Sequence, residues 1–150
     1  MNRYLPLILF LILVLGGGLL LGLLTAPGEW YAGLAKPAFN PPGWLFGPVW
    51  TVLYIFIAVA GWRIWQRERC GWPMRLWWAQ LGLNFLWLPV FFAAHQIGVA
   101  LAIILLLLAV ILLLISTTWQ RHTAAASMLA PYAAWVAFAS LLNASLFTLN

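Results

Sequence analysis

Flat aromatic and carboxamide side chains recur in this sequence at helical spacing. Three segments each repeat them at intervals of three or four residues, which places them on one face of a helix. The three sets are Trp50, Tyr54, Ile57 and Gly61; Trp77, Gln80, Asn84, Trp87 and Phe91; and Tyr132, Trp135, Ala139 and Asn143. If these faces meet, indole walls and a few amide groups would suit a large, flat, mostly apolar ligand.

A second interpretation of the same residues is simple packing. Trp87 and Trp135 can equally fill space between helices, and the amides of Gln80, Asn84 and Asn143 can hydrogen-bond from one helix to another. The remaining tryptophans are expected to form a belt at the membrane interface, since they lie near the ends of apolar segments. These are Trp44, Trp62, Trp65, Trp72, Trp77, Trp78 and Trp119. Spacing alone leaves both interpretations open.

Residues for ordinary catalysis or metal binding are scarce. The two acids, Glu29 and Glu68, fall in connections, and the histidines His95 and His122 fall at opposite ends of apolar segments. The single cysteine, Cys70, excludes an intramolecular disulfide and a cysteine metal site. We therefore expect no metal, no required cofactor, no catalytic triad or carboxylate pair, and no charged pathway through the membrane.

The composition excludes a water-soluble protein. Of 150 residues, 66% are hydrophobic and 6% are charged, whereas a soluble domain is about one-quarter charged. About 20 apolar residues cross the hydrocarbon layer of a bilayer, so this length allows five crossings. The net charge of +5 belongs to the ends of these segments rather than to a nucleic-acid-binding face.

The hydropathy pattern predicts an all-α membrane protein, a bundle of five transmembrane helices forming a single domain over residues 1–150. The expected helices are 4–25, 44–64, 74–94, 99–118 and 124–149. The first is too long for the apolar part of a signal peptide, and Pro27 follows the only small residue suited to cleavage, Ala26. Residues 26–43 hold four prolines and three glycines, which predicts a long structured loop between the first two helices.

The cations indicate the orientation. Six of the seven lie on the side of the N-terminus, and only Lys36 lies on the other. The six are Arg3, Arg63, Arg67, Arg69, Arg75 and Arg121. Because positive charge accumulates on the cytoplasmic side, we expect a cytoplasmic N-terminus and an outside C-terminus.

Four groups of residues carry a family resemblance. They are the segment from Trp30 to Pro37 with Asn40-Pro41-Pro42, the segments 47–54 and 80–92, and Pro131-Tyr132-Ala133-Ala134-Trp135 followed by Leu142-Asn143. In type and order they resemble the TspO/MBR family, also known as translocator proteins, tryptophan-rich sensory proteins or peripheral-type benzodiazepine receptors.

The resemblance implies a five-helix receptor that often forms a homodimer and binds porphyrins beneath the first loop. Some members also bind sterols or benzodiazepine-site ligands. The implied role is tetrapyrrole sensing, transport or regulation; the alternatives are light-dependent porphyrin degradation involving Trp50 and Trp135, or a regulatory scaffold for partner proteins. Apart from such degradation, no enzyme activity is implied. The implied ligand-binding residues are Tyr31, Trp50, Tyr54, Asn84, Trp87, Trp135, Ala139 and Leu142.

The sequence departs from the family pattern in two places. After Lys36-Pro37 the family usually carries an aromatic residue first, or a Ser-aromatic pair, whereas Ala38-Phe39 keeps only the second position. Residues 142–150 lack the Tyr and the basic residue of a sterol motif. The missing motif counts against a cholesterol role, although such sterol patterns are weak and the sequence leaves sterol binding open. Without an organelle-targeting extension, we expect a bacterial inner membrane as the location. Gly18 and Gly22, or Ala79 and Gly82, are candidate contacts of a homodimer.

Overall fold

The computed structural model describes residues 2–150, and within them it has five helices long and apolar enough to cross a membrane. A one-turn helix, Glu29–Ala32, lies between the first two. In chain order the helices are α1 (Leu5–Leu24), α2 (Glu29–Ala32), α3 (Gly43–Arg67), α4 (Trp72–Ala93), α5 (Ile97–Thr118) and α6 (Thr123–Leu149). The all-α, five-span prediction is confirmed, with ends shifted by at most three residues.

The prolines lie where a helix tolerates them or changes its geometry. Pro6 and Pro73 occupy the first turns of α1 and α4, where a missing N–H is not needed. Pro89 starts a π-helical turn, Pro89–Ala93, that ends α4, whereas Pro131 lies inside α6. A π-helical turn changes the direction of the side chains that it carries, here those of Phe91 and Phe92.

The five long helices pack in a ring in the order α1, α3, α6, α5, α4 and back to α1. Close approach depends on glycines. A Cβ added to Gly18 on α1 would collide with the Tyr54 ring, and one added to Gly61 on α3 would collide with the Trp77 indole. The predicted inward faces of α3, α4 and α6 all point into this bundle, since Tyr54, Gln80 and Tyr132 are buried.

Trp77 corrects the predicted interfacial belt. Its side chain is 0% exposed, and its Nε1 donates a hydrogen bond to the carbonyl oxygen of Ile57 at 3.0 Å. The bare backbone at Gly61 makes room for the indole inside the bundle, so the belt interpretation was wrong for this residue. Four other tryptophans of the predicted belt are exposed: Trp44, Trp72, Trp78 and Trp119.

Arginines mark the ends of the helices and their connections. Because α3 continues to Arg67, it includes Arg63 one turn before its end. Beyond it, the Glu68 carboxylate pairs with Arg121 and with the buried His122, each at 2.9 Å. This carboxylate joins the connection between α3 and α4 to the one between α5 and α6.

The loop over residues 25–42 is ordered and lies against the helices, as predicted. The backbone N–H and carbonyl of Ala35 hydrogen-bond to the side chain of Asn150, both at 3.0 Å. The Trp30 ring stacks on His95, with centroids 4.1 Å apart. The loop is therefore tied to the end of α6 and to the connection between α4 and α5.

Candidate functional site

A chain of hydrogen bonds connects three helices in the middle of the bundle. The Asn84 amide nitrogen donates to the Tyr132 hydroxyl at 2.7 Å, and that hydroxyl donates to Gln80 Oε1 at 2.8 Å. The Tyr54 hydroxyl donates to Asn84 Oδ1 at a longer 3.4 Å. All four side chains are buried. For Gln80 and Asn84 the contacts match the interpretation that the amides hold helices together.

Asn143 forms a second polar link, nearer the loop. Its Oδ1 accepts a hydrogen bond from Trp87 Nε1 at 3.0 Å, and its amide nitrogen donates to the Ile97 carbonyl at 3.1 Å. This link connects α4, α5 and α6. It also fixes the orientation of the Trp87 indole, whose ring stacks on Phe91 with centroids 5.1 Å apart.

Aromatic rings bridge α3 and α6 between these polar links and the loop. The Trp50 ring lies 5.3 Å from Tyr54 and 6.3 Å from Tyr132, measured between centroids. One turn earlier on α3, Phe46 meets Trp135 edge to face at 5.8 Å. As whole residues, Trp50, Trp87 and Trp135 are only partly buried.

The Trp135 indole N–H differs from that of Trp87 because it is buried without a hydrogen-bond partner among the described residues. Leaving a buried donor unpaired costs about 1–3 kcal/mol of stability. A hydrogen-bond acceptor from outside the chain would offset this cost. Gln80 Nε2 and Trp62 Nε1 are also unpaired. Of these three donors, only that of Trp135 belongs to a residue of the predicted ligand site.

The loop covers one end of this aromatic group. The Tyr31 ring meets Phe92 at 5.5 Å and Phe91 at 6.2 Å, and burial raises the pKa of the Tyr31 hydroxyl. Lys36 Nζ lies 4.7 Å from the centre of the Tyr31 ring and donates to the Tyr31 carbonyl at 2.8 Å. A positive charge therefore stands beside the aromatic group.

The eight predicted site residues fall into two adjoining clusters. Trp50, Tyr54, Trp87, Trp135 and Ala139 belong to or pack against the main core, whereas Tyr31 and Leu142 lie in a smaller cluster around Phe91. Trp87 touches both clusters, and Asn84 joins the set through its bond to Tyr132.

Several residues that contact the predicted site were left out of it, among them Phe46 and Phe91. Phe46 lies four residues before Trp50, and Phe91 lies four after Trp87. Helical spacing could have pointed to Phe46, and it had already placed Phe91 on the inward face.

The two described cavities lie outside the predicted site. One, of about 330 Å³, is an apolar groove between α3 and α6, lined by residues that include Pro48, Val52 and Pro131. The other, of about 580 Å³, lies at the opposite end of the bundle from the loop and includes Arg3 and Arg69. Neither cavity is lined by a predicted ligand-binding residue. The aromatic residues of the predicted site pack against other aromatic rings instead.

The chain is similar to known proteins over most of its length. A sequence model of the TspO/MBR family matches residues 9–149. The human translocator protein is 38% identical over 120 residues, covering 77% of this chain and 71% of that protein. The tryptophan-rich sensory protein of Cereibacter sphaeroides is 36% identical over 129 residues, with 86% and 82% covered. The tryptophan-rich protein TspO of Archaeoglobus fulgidus is 39% identical over 125 residues, with 81% and 80% covered.

Proposed function

This chain belongs to the TspO/MBR family of integral membrane proteins, and on that premise we propose that it binds porphyrins beneath the 25–42 loop. The proposed ligand-binding residues are the eight named from the sequence, extended by Phe46 and Phe91. The proposed role is sensing or transport of the tetrapyrrole, in keeping with relatives named as translocator and sensory proteins. We place the protein, as a homodimer, in a bacterial inner membrane.

The chemistry of the aromatic group supports a flat ligand. A porphyrin presents a broad apolar ring that gains stabilisation by stacking on indoles. Trp50, Trp87 and Trp135 belong to three different helices, pack against the main core, and are each only partly buried. Since these rings already touch Tyr132, Phe91 and Phe46, binding requires side chains or the loop to move.

The polar groups support a ligand that also carries acceptors. The observation that carries the proposal is the buried, unpaired Nε1 of Trp135, which would donate to an acceptor atom of the bound molecule. Lys36 at the loop would pair with a carboxylate on the rim of the porphyrin. An apolar ring with acidic substituents satisfies both groups, whereas a pure hydrocarbon satisfies neither.

A matched pair of variants tests this proposal. Trp135→Phe keeps most of the ring surface but loses the N–H. Porphyrin affinity should fall about fivefold, because one neutral hydrogen bond contributes about 1 kcal/mol to binding. Trp62→Phe removes another buried, unpaired indole N–H outside the proposed site and should leave affinity unchanged. The measurement is a titration followed by porphyrin absorbance, in the dark, in detergent or nanodiscs.

Two outcomes would overturn the proposal. One is a wild-type protein that does not change the porphyrin spectrum, and the other is an equal loss of affinity in both variants. Illuminating the same complex tests the enzymatic alternative. A new porphyrin product that forms with the wild type and not with Trp50→Phe or Trp135→Phe would establish degradation.

A further inference from the structure

The cavity of about 580 Å³ lies between the start of α1 and the last turns of α3. Its volume falls within the range of small-molecule sites, about 300–1,000 Å³. Its lining residues include two arginines and two amide-bearing residues beside an apolar wall. The residues are Asn2, Arg3, Gln66 and Arg69 on the polar side, and Leu5, Pro6 and Trp65 on the apolar side.

Aromatic rings restrain both guanidinium groups. The Arg69 guanidinium lies over the Trp65 ring, 4.1 Å from its centre. Arg3 lies 4.9 Å from the centre of the Tyr4 ring and donates a hydrogen bond to the Tyr4 hydroxyl at 2.9 Å. The Tyr4 ring in turn packs against Trp62 on α3, with centroids 6.2 Å apart. The two cations are thus positioned before any ligand arrives.

The chain offers no acid to neutralise them. Among residues 2–150, the Glu68 carboxylate pairs with Arg121 and also contacts His122. The other acid, Glu29, lies in the loop at the opposite end of the bundle. The cavity therefore keeps a positive charge, and the planar donors of two arginines match the geometry of a phosphate group.

The apolar side of the cavity continues along α1. Leu5 lines the cavity, and Leu9 and Ile12 follow at helical spacing, with exposures of 50%, 57% and 63%. A free phosphate ion would use only the polar half of this site. A phospholipid would use both halves, with its headgroup on the arginines and its acyl chains along α1.

We propose that this cavity binds the phosphate headgroup of an anionic phospholipid. Arg3 and Arg69 hold the phosphate, the Gln66 amide assists, and Trp65 and Leu5 contact the glycerol and upper acyl carbons. Basic pockets between membrane helices commonly hold anionic headgroups. The site is separate from the proposed porphyrin site, so either proposal can fail without the other.

The test compares two double variants of the full-length protein. Arg3→Gln with Arg69→Gln removes both cavity cations, whereas Arg63→Gln with Arg75→Gln removes two exposed cations from the same side, outside the cavity. Native mass spectrometry measures retention of phosphatidylglycerol against phosphatidylcholine with the same acyl chains. The wild type and the control pair should prefer phosphatidylglycerol, and the cavity pair should bind it about tenfold more weakly.

Several results would overturn the proposal. They are a wild type that does not discriminate between the two lipids, an equal loss in both double variants, and no loss in the cavity pair. Soluble glycerol phosphate is tested as the third ligand. If it binds as tightly as phosphatidylglycerol does, the site is assigned to free phosphate instead. Because both pairs change exposed side chains, equal helix content and equal thermal unfolding by circular dichroism confirm that the variants fold.

Discussion

At the residue scale, the bundle satisfies most of its buried polar groups from one helix to another. In hydrocarbon each amide and hydroxyl must find a partner within the protein. The Tyr132 hydroxyl forms hydrogen bonds with two amide side chains, accepting from Asn84 and donating to Gln80. Trp135, which lies one turn further along α6, has no partner for its N–H among residues 2–150. The same helix therefore carries one residue that joins helices and one whose N–H we propose to be used in binding.

Removing the Tyr132 hydroxyl should destabilise the protein more than removing that of Tyr54. Tyr132→Phe leaves two buried amides without their partner and should cost about 1–2 kcal/mol, the upper part of the range for polar contacts in membrane bundles. Tyr54→Phe loses one long hydrogen bond of 3.4 Å and should cost less than about 0.6 kcal/mol. Reversible unfolding in a denaturing detergent measures both free energies. Equal effects would show that the chain of hydrogen bonds does not hold the helices together.

At the element scale, small residues decide how closely the helices approach. The pair Gly18 and Gly22 on α1 has the spacing of a helix-contact motif, but only Gly18 is used within the chain. Its bare Cα accepts the Tyr54 ring, whereas a Cβ on Gly22 would meet nothing within 4 Å. Gly22 therefore remains available for the homodimer contact that we expect, and Gly18 does not.

Alanine substitutions separate these two roles. Gly18→Ala places a methyl group against the Tyr54 ring and should destabilise the fold by about 1–3 kcal/mol, the usual cost of overpacking. In the monomer, Gly22→Ala meets open space and should be neutral or stabilising by up to about 1 kcal/mol, since alanine favours helices over glycine. Thermal unfolding in one detergent compares the two. A larger loss for Gly22→Ala would mean that α1 does not pack on α3 through Gly18.

At the scale of the whole molecule, charge is distributed unevenly between the two ends of the bundle. The loop end carries Lys36, whereas the other end carries six arginines. The helices between them bury Ile57, Leu107 and Val136 at 0–2% exposure. We therefore expect the charges, rather than the shape of the bundle, to set its direction in the membrane.

The single cysteine provides a direct test of this orientation. Cys70 is exposed and free in the connection between α3 and α4, which we predict to be cytoplasmic. A membrane-impermeant maleimide should label it in inverted membrane vesicles and not in intact spheroplasts. Ala38→Cys in a Cys70→Ser background should show the reverse pattern, because residue 38 lies in the loop on the other side. Labelling of Cys70 in spheroplasts would reverse the proposed orientation.

Much of the fold and part of the site could be predicted from the sequence. Helical spacing correctly placed Tyr54, Asn84 and Tyr132 on inward faces, because a side chain's face depends on local geometry alone. The spacing could not show that Asn84 would bond to Tyr132, since that depends on how α4 and α6 meet. It likewise could not show that the predicted site would be filled by rings in contact.

By itself, the sequence determined the number of helices, their approximate ends, their inward faces and the uneven charge. Each of these follows from hydropathy, spacing or composition along a single segment. Only the tertiary structure decided that Trp77 lies inside the bundle rather than at its interface, and that Trp135 lacks a partner while Trp87 has Asn143. Such choices depend on gaps between helices, as at Gly61, and on which backbone carbonyl or amide a neighbouring helix brings within reach.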